Sequence, residues 1–94
     1  MSKSDLTLID HFLSYDDETG EIRWRYRPAR RIRRGCIAGS IDLRGNRYLI
    51  GLRGRSYRAE YIAWFLGHGE WPEGVVYHLN GNWSDNRRDN LAVR

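Results

Sequence analysis

Residues 75–94 read VVYHLNGNWSDNRRDNLAVR. This stretch predicts a short strand ending at His78, a polar loop of Asn, Gly, Ser and Asp, and a second short strand from Asn90 to Val93. Gly81 and the Asn and Asp residues around it supply the turn chemistry, and the apolar residues Val75, Val76, Leu91 and Val93 supply the strand ends. The stretch thus predicts a closing β-hairpin with a histidine at the end of its first strand.

Working back from the hairpin, Trp71-Pro72-Glu73-Gly74 reads as a turn leading into it. Ala59 to Leu66 is too continuously apolar for an exposed strand. Ala59, Ile62, Ala63, Phe65 and Leu66 suit a helix buried on most of one side, stopped by Gly67 and Gly69. Before it, Arg47–Leu52 predicts a strand with Tyr48, Ile50 and Leu52 on one side and Arg47, Leu49 and Gly51 on the other. Arg53-Gly54 makes a tight hairpin and Ser56–Arg58 returns. Cys36–Asp42 predicts another strand, weakened by Gly39, and Arg44-Gly45-Asn46 the turn after it.

In EIRWRYRP, residues 21–28, Ile22, Trp24 and Tyr26 alternate with Arg23, Arg25 and Arg27. Period two predicts a strand with one aromatic and one cationic face, ended by Pro28. The run from Pro28 to Gly35 has no period and reads as an exposed basic loop. At the front, residues 4–15 place Leu6, Ile9, Phe12 and Leu13 at helical spacing, with His11 on the polar side, and residues 16–20 form a turn. The fold class expected is α+β: a short N-terminal helix, a small three-stranded antiparallel sheet with a packed helix, and a C-terminal hairpin. All of it, 1–94, is expected to be one domain, with 5–74 carrying the sheet and helix and 75–94 the hairpin.

Charge is unevenly distributed. Residues 1–20 balance at −4; residues 21–58 carry twelve Arg against Glu21 and Asp42, a balance of +10; residues 59–94 balance at −2. Arg offers a planar fork suited to phosphates and guanine edges, so the clustering points to a polyanion, DNA first, against the plainer alternative of a solvated basic face. The candidate contacts are Arg23, Arg25, Arg27, Arg30, Arg31, Arg33, Arg34, Arg47, Arg53, Arg55 and Arg58. With no signal peptide, no apolar run able to span a membrane, and a single cysteine, Cys36, read as a small buried residue, the expected location is the cytoplasm.

Taken in order, these residues resemble phage-type HNH endonucleases, the ββα-metal finger family. The resemblance is carried by Tyr15-Asp16, Thr19-Gly20-Glu21-Ile22-Arg23-Trp24, Gly35, Ala38-Gly39, Tyr57-Arg58-Ala59, Ile62-Ala63-Trp64 and Gly69-Glu70-Trp71-Pro72. His78-Leu79-Asn80-Gly81, Asp85-Asn86-Arg87 and Asn90-Leu91 then complete it. It implies a three-stranded sheet like that of plant ethylene-response-type transcription factors ahead of the finger. His78 falls at the general-base position, Asn90 and Asn86 at bracing positions, and the host bacterial cytoplasm becomes the expected setting.

The resemblance also implies a Mg²⁺-type ion held by an Asp directly before the His and by an Asn or His on a following helix. Here the Asp position is Tyr77, a poor ligand for Mg²⁺, and the chain stops at Arg94, so the metal helix is expected to be lacking. Glu60 replaces a usual His, and Asn82 and Trp83 replace an Asp and a small or basic residue. General-base catalysis alone contributes roughly 10²–10⁴-fold, well short of what phosphodiester hydrolysis requires.

The expectation is thus an HNH-derived nucleic-acid-binding protein without cleavage activity, with no metal ligands and no cofactor. One alternative is a phage anti-defence, anti-CRISPR-like inhibitor binding a host protein or nucleoprotein, with Trp83 and Tyr77 as anchors. A second is an active nicking endonuclease using a divalent ion through replacement ligands such as Asp85 or Glu60, or as part of a longer or assembled enzyme. A homo-oligomer covering Val75, Leu91 and Val93 is a further expectation.

Overall fold

The computed structural model describes residues 1–27 and 30–94; the expected end of a strand at Pro28, with Ala29 beside it, lies outside the described residues. Helix α1 (Lys3–Phe12) begins on Ser2, whose hydroxyl accepts from the amide of Asp5, two residues before the start of the helical spacing at residue 4. The helix stops at Phe12 because Leu13–Tyr15 leaves it as strand β1, which pairs antiparallel with β2 (Ile22–Trp24) across the Asp16–Gly20 turn. Periodicity alone extended the helix over residues 13–15. The long-range pairing with β2 overrides it.

The alternating strand is shorter than expected. Ile22 and Trp24 are buried and Arg23 is exposed, but regular pairing ends at Trp24 and Tyr26 is 45% exposed. The expected strand over residues 36–42 is split in two. Its first part lies along β2, with the Trp24 amide donating to the Cys36 carbonyl at 2.9 Å and the Ala38 amide to that of Ile22 at 2.8 Å. Its second part, β3 (Ser40–Asp42), pairs instead with β4 (Arg47–Leu52). Gly39 makes the switch: its φ is +90°, and a Cβ there would stand 2.5 Å from the Leu49 carbonyl oxygen. Cys36, expected to be buried, is exposed on this crossing segment.

Strands β3, β4 and β5 (Arg55–Arg58) form the three-stranded antiparallel sheet. The β4–β5 turn at Arg53-Gly54 has positive φ at both residues, as a two-residue hairpin requires. Ile50 and Leu52 face inward against α2 (Ala59–His68), which buries Ala59, Ile62, Ala63 and Phe65. Gly69, in the left-handed conformation, caps that helix; Gly67 is absorbed within it.

The closing hairpin pairs β6 (Val76–His78) with β7 (Leu91–Val93), after a single 3₁₀ turn at Arg88–Asn90. Ile9, Leu13, Ile22, Trp24, Ile50, Leu52, Ile62, Phe65, Val76 and Leu91 share one buried cluster, so every sheet contributes to the core. The architecture is α+β. Leu91, expected to need cover from another chain, is buried in that core; of the three residues named for an oligomer contact, Val75 stays exposed and Val93 packs partly against the core. No helix among the described residues is long and apolar enough to cross a membrane.

Candidate nucleic-acid interface and histidine finger

Strand β6 delivers His78 to the mouth of the loop. Its Nε2–H donates to Oδ1 of Asn86 at 2.8 Å. In the neutral ring that bond selects the Nε2–H tautomer, which leaves the Nδ1 lone pair as the proton acceptor. Asn90 fastens the loop. Its Oδ1 accepts from the Asn80 amide at 3.0 Å, its Nδ2 donates to the Asn80 side-chain oxygen at 3.0 Å and to the Asp85 carbonyl at 2.8 Å, and its own carbonyl accepts from the Leu79 amide. Both asparagines are 5% exposed, which explains the amide side chains: each can satisfy a donor and an acceptor in a place where an apolar residue would leave backbone groups unpaired.

The front of the chain supports the same loop, a feature that spacing did not reveal. Tyr15 Oη donates to the Asn86 carbonyl at 2.6 Å, and the Arg88 amide donates to the Asp17 carbonyl at 3.1 Å. Burial first, then the neighbouring Asp17 charge, push the Tyr15 hydroxyl up to about 12. Gly20, with φ +81°, lies so close that a Cβ would stand 2.6 Å from the Arg87 nitrogen and the Asn86 carbonyl carbon. Tyr15, Thr19 and Gly20 are legible in the sequence as a strand-turn pattern, but their contact partners lie some seventy residues away.

A metal ion of the kind the finger family uses finds a poor donor set here. Tyr77 is half-buried with the Arg94 guanidinium over its ring at 5.0 Å, a cationic neighbour opposed to a divalent ion. Asp85 has both carboxylate oxygens engaged by Arg87, at 2.8 Å each, and Oδ2 also accepts from Asn80 Nδ2. The Arg87 hydrogen bonds hold its carboxyl well below the usual carboxylate range. Glu60 is buried in the first turn of α2. Among the described residues no three His, Cys, Asp or Glu side chains come together in a way that could hold a metal ion. The residues present do not fit the ion. Trp83, read from sequence as a large exposed loop residue, is half-buried.

The eleven candidate arginines do not form one surface. Cross-strand register places Ser40, Leu49 and Arg58 together on the outer face of the three-stranded sheet, with Asp42, Arg47, Gly51 and Ser56 on that same face. Arg47 pairs with Asp42 at 3.1 Å, and that contact lowers the Asp42 carboxyl. Arg31 and Arg33 reach this side of the sheet, lining a shallow depression with Cys36, Gly39, Ser40 and Gly51. Arg53 and Arg55 turn instead toward α1: the Arg53 guanidinium lies over Phe12 at 5.6 Å, and Arg55 pairs with Asp5 at 3.1 Å. Arg23 is held by Glu21 and donates to the Gly35 carbonyl at 2.8 Å. Arg34 stands over Tyr26, and Arg25, Arg27 and Arg30 are exposed.

With this geometry in view, residues 57–94 match the family model described as HNH endonuclease. The match takes in the last two residues of β5, all of α2 and the whole histidine hairpin, which is under half of the chain. No curated protein and no solved structure matches the chain. The segment carrying His78, Asn86 and Asn90 is thus similar to the HNH endonuclease family.

Proposed function

We propose that this protein is an HNH-derived nucleic-acid-binding protein that holds duplex DNA on the outer face of its three-stranded sheet and does not cleave it. The observation that supports the reading most is the composition of that face. Arg58 and Arg47 project from it, Arg31 and Arg33 border it, and beside Leu49 the small residues Gly51, Ser40 and Ser56 present little side-chain bulk, so a phosphate backbone can approach the sheet closely at Gly51. Asp42 is the one acid on that face among the described residues, and Arg47 neutralises it.

The non-cleaving half of the reading rests on the finger. His78 is oriented and has a free Nδ1, but a positioned base supplies only part of the rate that phosphodiester hydrolysis requires, and the donors that would hold a cation are already committed. The phage setting implied by the family resemblance belongs to this proposal.

Contacts to phosphate make binding fall linearly with the logarithm of salt concentration. The test is a titration of a labelled duplex at several salt concentrations. Replacing Arg31 and Arg33 together by Ala should weaken binding about equally across sequences and reduce the salt slope by about 2, one unit per lost phosphate contact. Absence of duplex binding at low salt would sink the reading.

An inhibitor that docks on a host protein or nucleoprotein is the second reading. It is favoured by Ile41 and Leu43, exposed at 52% and 78% on the β3 edge of the sheet and just after it, and by Ile37, 45% exposed on the preceding segment along β2. A partner recovered from host lysate that survives nuclease treatment would select it over DNA binding.

A further inference from the structure

At the end of α1 the structure builds a row of alternating rings and guanidinium groups. His11 stacks on Tyr26 with centroids 4.8 Å apart and planes 16° from parallel, and it meets Phe12 edge-on at 4.9 Å. Arg53 lies over Phe12 at 5.6 Å, and Arg34 over Tyr26 at 6.0 Å. The row is fixed from the backbone, since the Arg25 amide donates to the Phe12 carbonyl at 2.7 Å and so holds Tyr26 beside the helix end. Tyr26 is nevertheless 45% exposed, and its hydroxyl has no hydrogen-bond partner among the described residues. Arg25, Arg27, Arg34 and Arg53 form no ion pair among the described residues either.

A core packs aromatic rings away from water; this row leaves an aromatic ring open in the most cationic part of the chain. Arg34 stands at the outer limit of cation–π contact, so it covers the Tyr26 ring only loosely. Exposed rings interleaved with cations are the elements by which a strand with unpaired bases is held: the rings stack on base faces, and the guanidinium groups track the phosphates. A base inside a duplex is stacked on both faces and has none to offer.

We propose that the row Arg34–Tyr26–His11–Phe12–Arg53 is a stacking site for unpaired bases of single-stranded DNA, separate from the outer sheet face. The inference deepens the nucleic-acid reading and rests on it: a substrate with a duplex region next to an unpaired stretch would occupy the sheet face and the row together. Arg31 to Arg34 join the two sites, because Arg31 and Arg33 line the sheet-side depression while Arg34 reaches the row.

The test compares three labelled probes under one buffer: an oligo(dT) of about 15 nucleotides, an abasic strand of the same length, and a blunt duplex. Wild-type protein should bind oligo(dT) at least about tenfold tighter than the abasic strand. Tyr26→Ala should lower oligo(dT) affinity by about 5- to 150-fold, the range that loss of one stacked base produces. Tyr26→Phe should retain it, and duplex affinity should stay within about twofold in both variants. Circular dichroism of Tyr26→Ala identifies a folding defect, and the abasic comparison on the wild type decides the matter independently of any variant. Equal binding of oligo(dT) and the abasic strand, or an unaltered affinity in a folded Tyr26→Ala, overturns the stacking site and leaves the duplex reading standing. Failure to bind all three probes overturns both.

Discussion

Single residues decide the state of the finger. Asn86 and Asn90 divide the work: the first aims the His78 ring, and the second ties the two ends of the loop together through Asn80 and Asp85. The sequence marked both positions by resemblance but not this division, because the spacing from His78 to Asn86 does not by itself say which side chain meets the ring. Tyr15 was less visible still. Its hydroxyl donates to the Asn86 carbonyl, so Tyr15→Phe is expected to cost about 1 kcal/mol in chemical denaturation, the typical net worth of one such bond. The same residue carries a pH signature. The unfolded-state hydroxyl ionises near 10, whereas the folded one is held protonated to about 12. Between those values the unfolded state binds fewer protons, so stability falls as pH rises through that window. In Tyr15→Phe that part of the alkaline loss should disappear, as read by melting temperature at pH 9 and pH 11.

At the scale of elements, long-range contact repeatedly overrode local pattern. The helical spacing of residues 4–15 was genuine for Ile9 and misleading for Leu13, which is fully buried on a strand paired to Trp24. The alternation of residues 22–27 holds for Ile22 and Trp24, both buried. It failed at Tyr26, where the backbone leaves the ladder to bond with the end of α1. The Arg53-Gly54 hairpin, the Gly69 stop and both strands of the finger were legible because each depends on residues adjacent in sequence. Where the Asp16–Gly20 turn would dock was not legible. Gly20→Ala tests that docking directly. A side chain at φ +81° is strained by about 1–2 kcal/mol, and its Cβ would overlap the Asn86–Arg87 backbone besides. The expected loss exceeds about 2 kcal/mol, with faster amide exchange at Asn86 and Arg87 by NMR. An unchanged stability would mean that the turn is not seated on the finger.

Across the whole molecule, the Arg-rich middle segment and the HNH-type segment meet in one buried cluster, with α2 touching β1, β4, β5 and β6. Composition located the basic segment, yet it could not sort the arginines, since register and helix placement decide which of them share a face. Arg47 and Arg58 stand on the open sheet; Arg53 and Arg55 turn to α1. The finger thus keeps an oriented histidine, and among the described residues no group of three or more His, Cys, Asp or Glu stands where it could hold a cation, while cationic surface is concentrated on the sheet and its flanking loop. Both halves of the proposed function are read by a single agarose gel. Supercoiled plasmid is incubated with the protein at low salt, with Mg²⁺ or Mn²⁺ and beside His78→Ala, and each sample is run before and after protein removal. The expected result is retarded plasmid that returns to the supercoiled position once the protein is removed, alike for both proteins. Nicked or linear product that forms with the wild type and is lost in His78→Ala would contradict it.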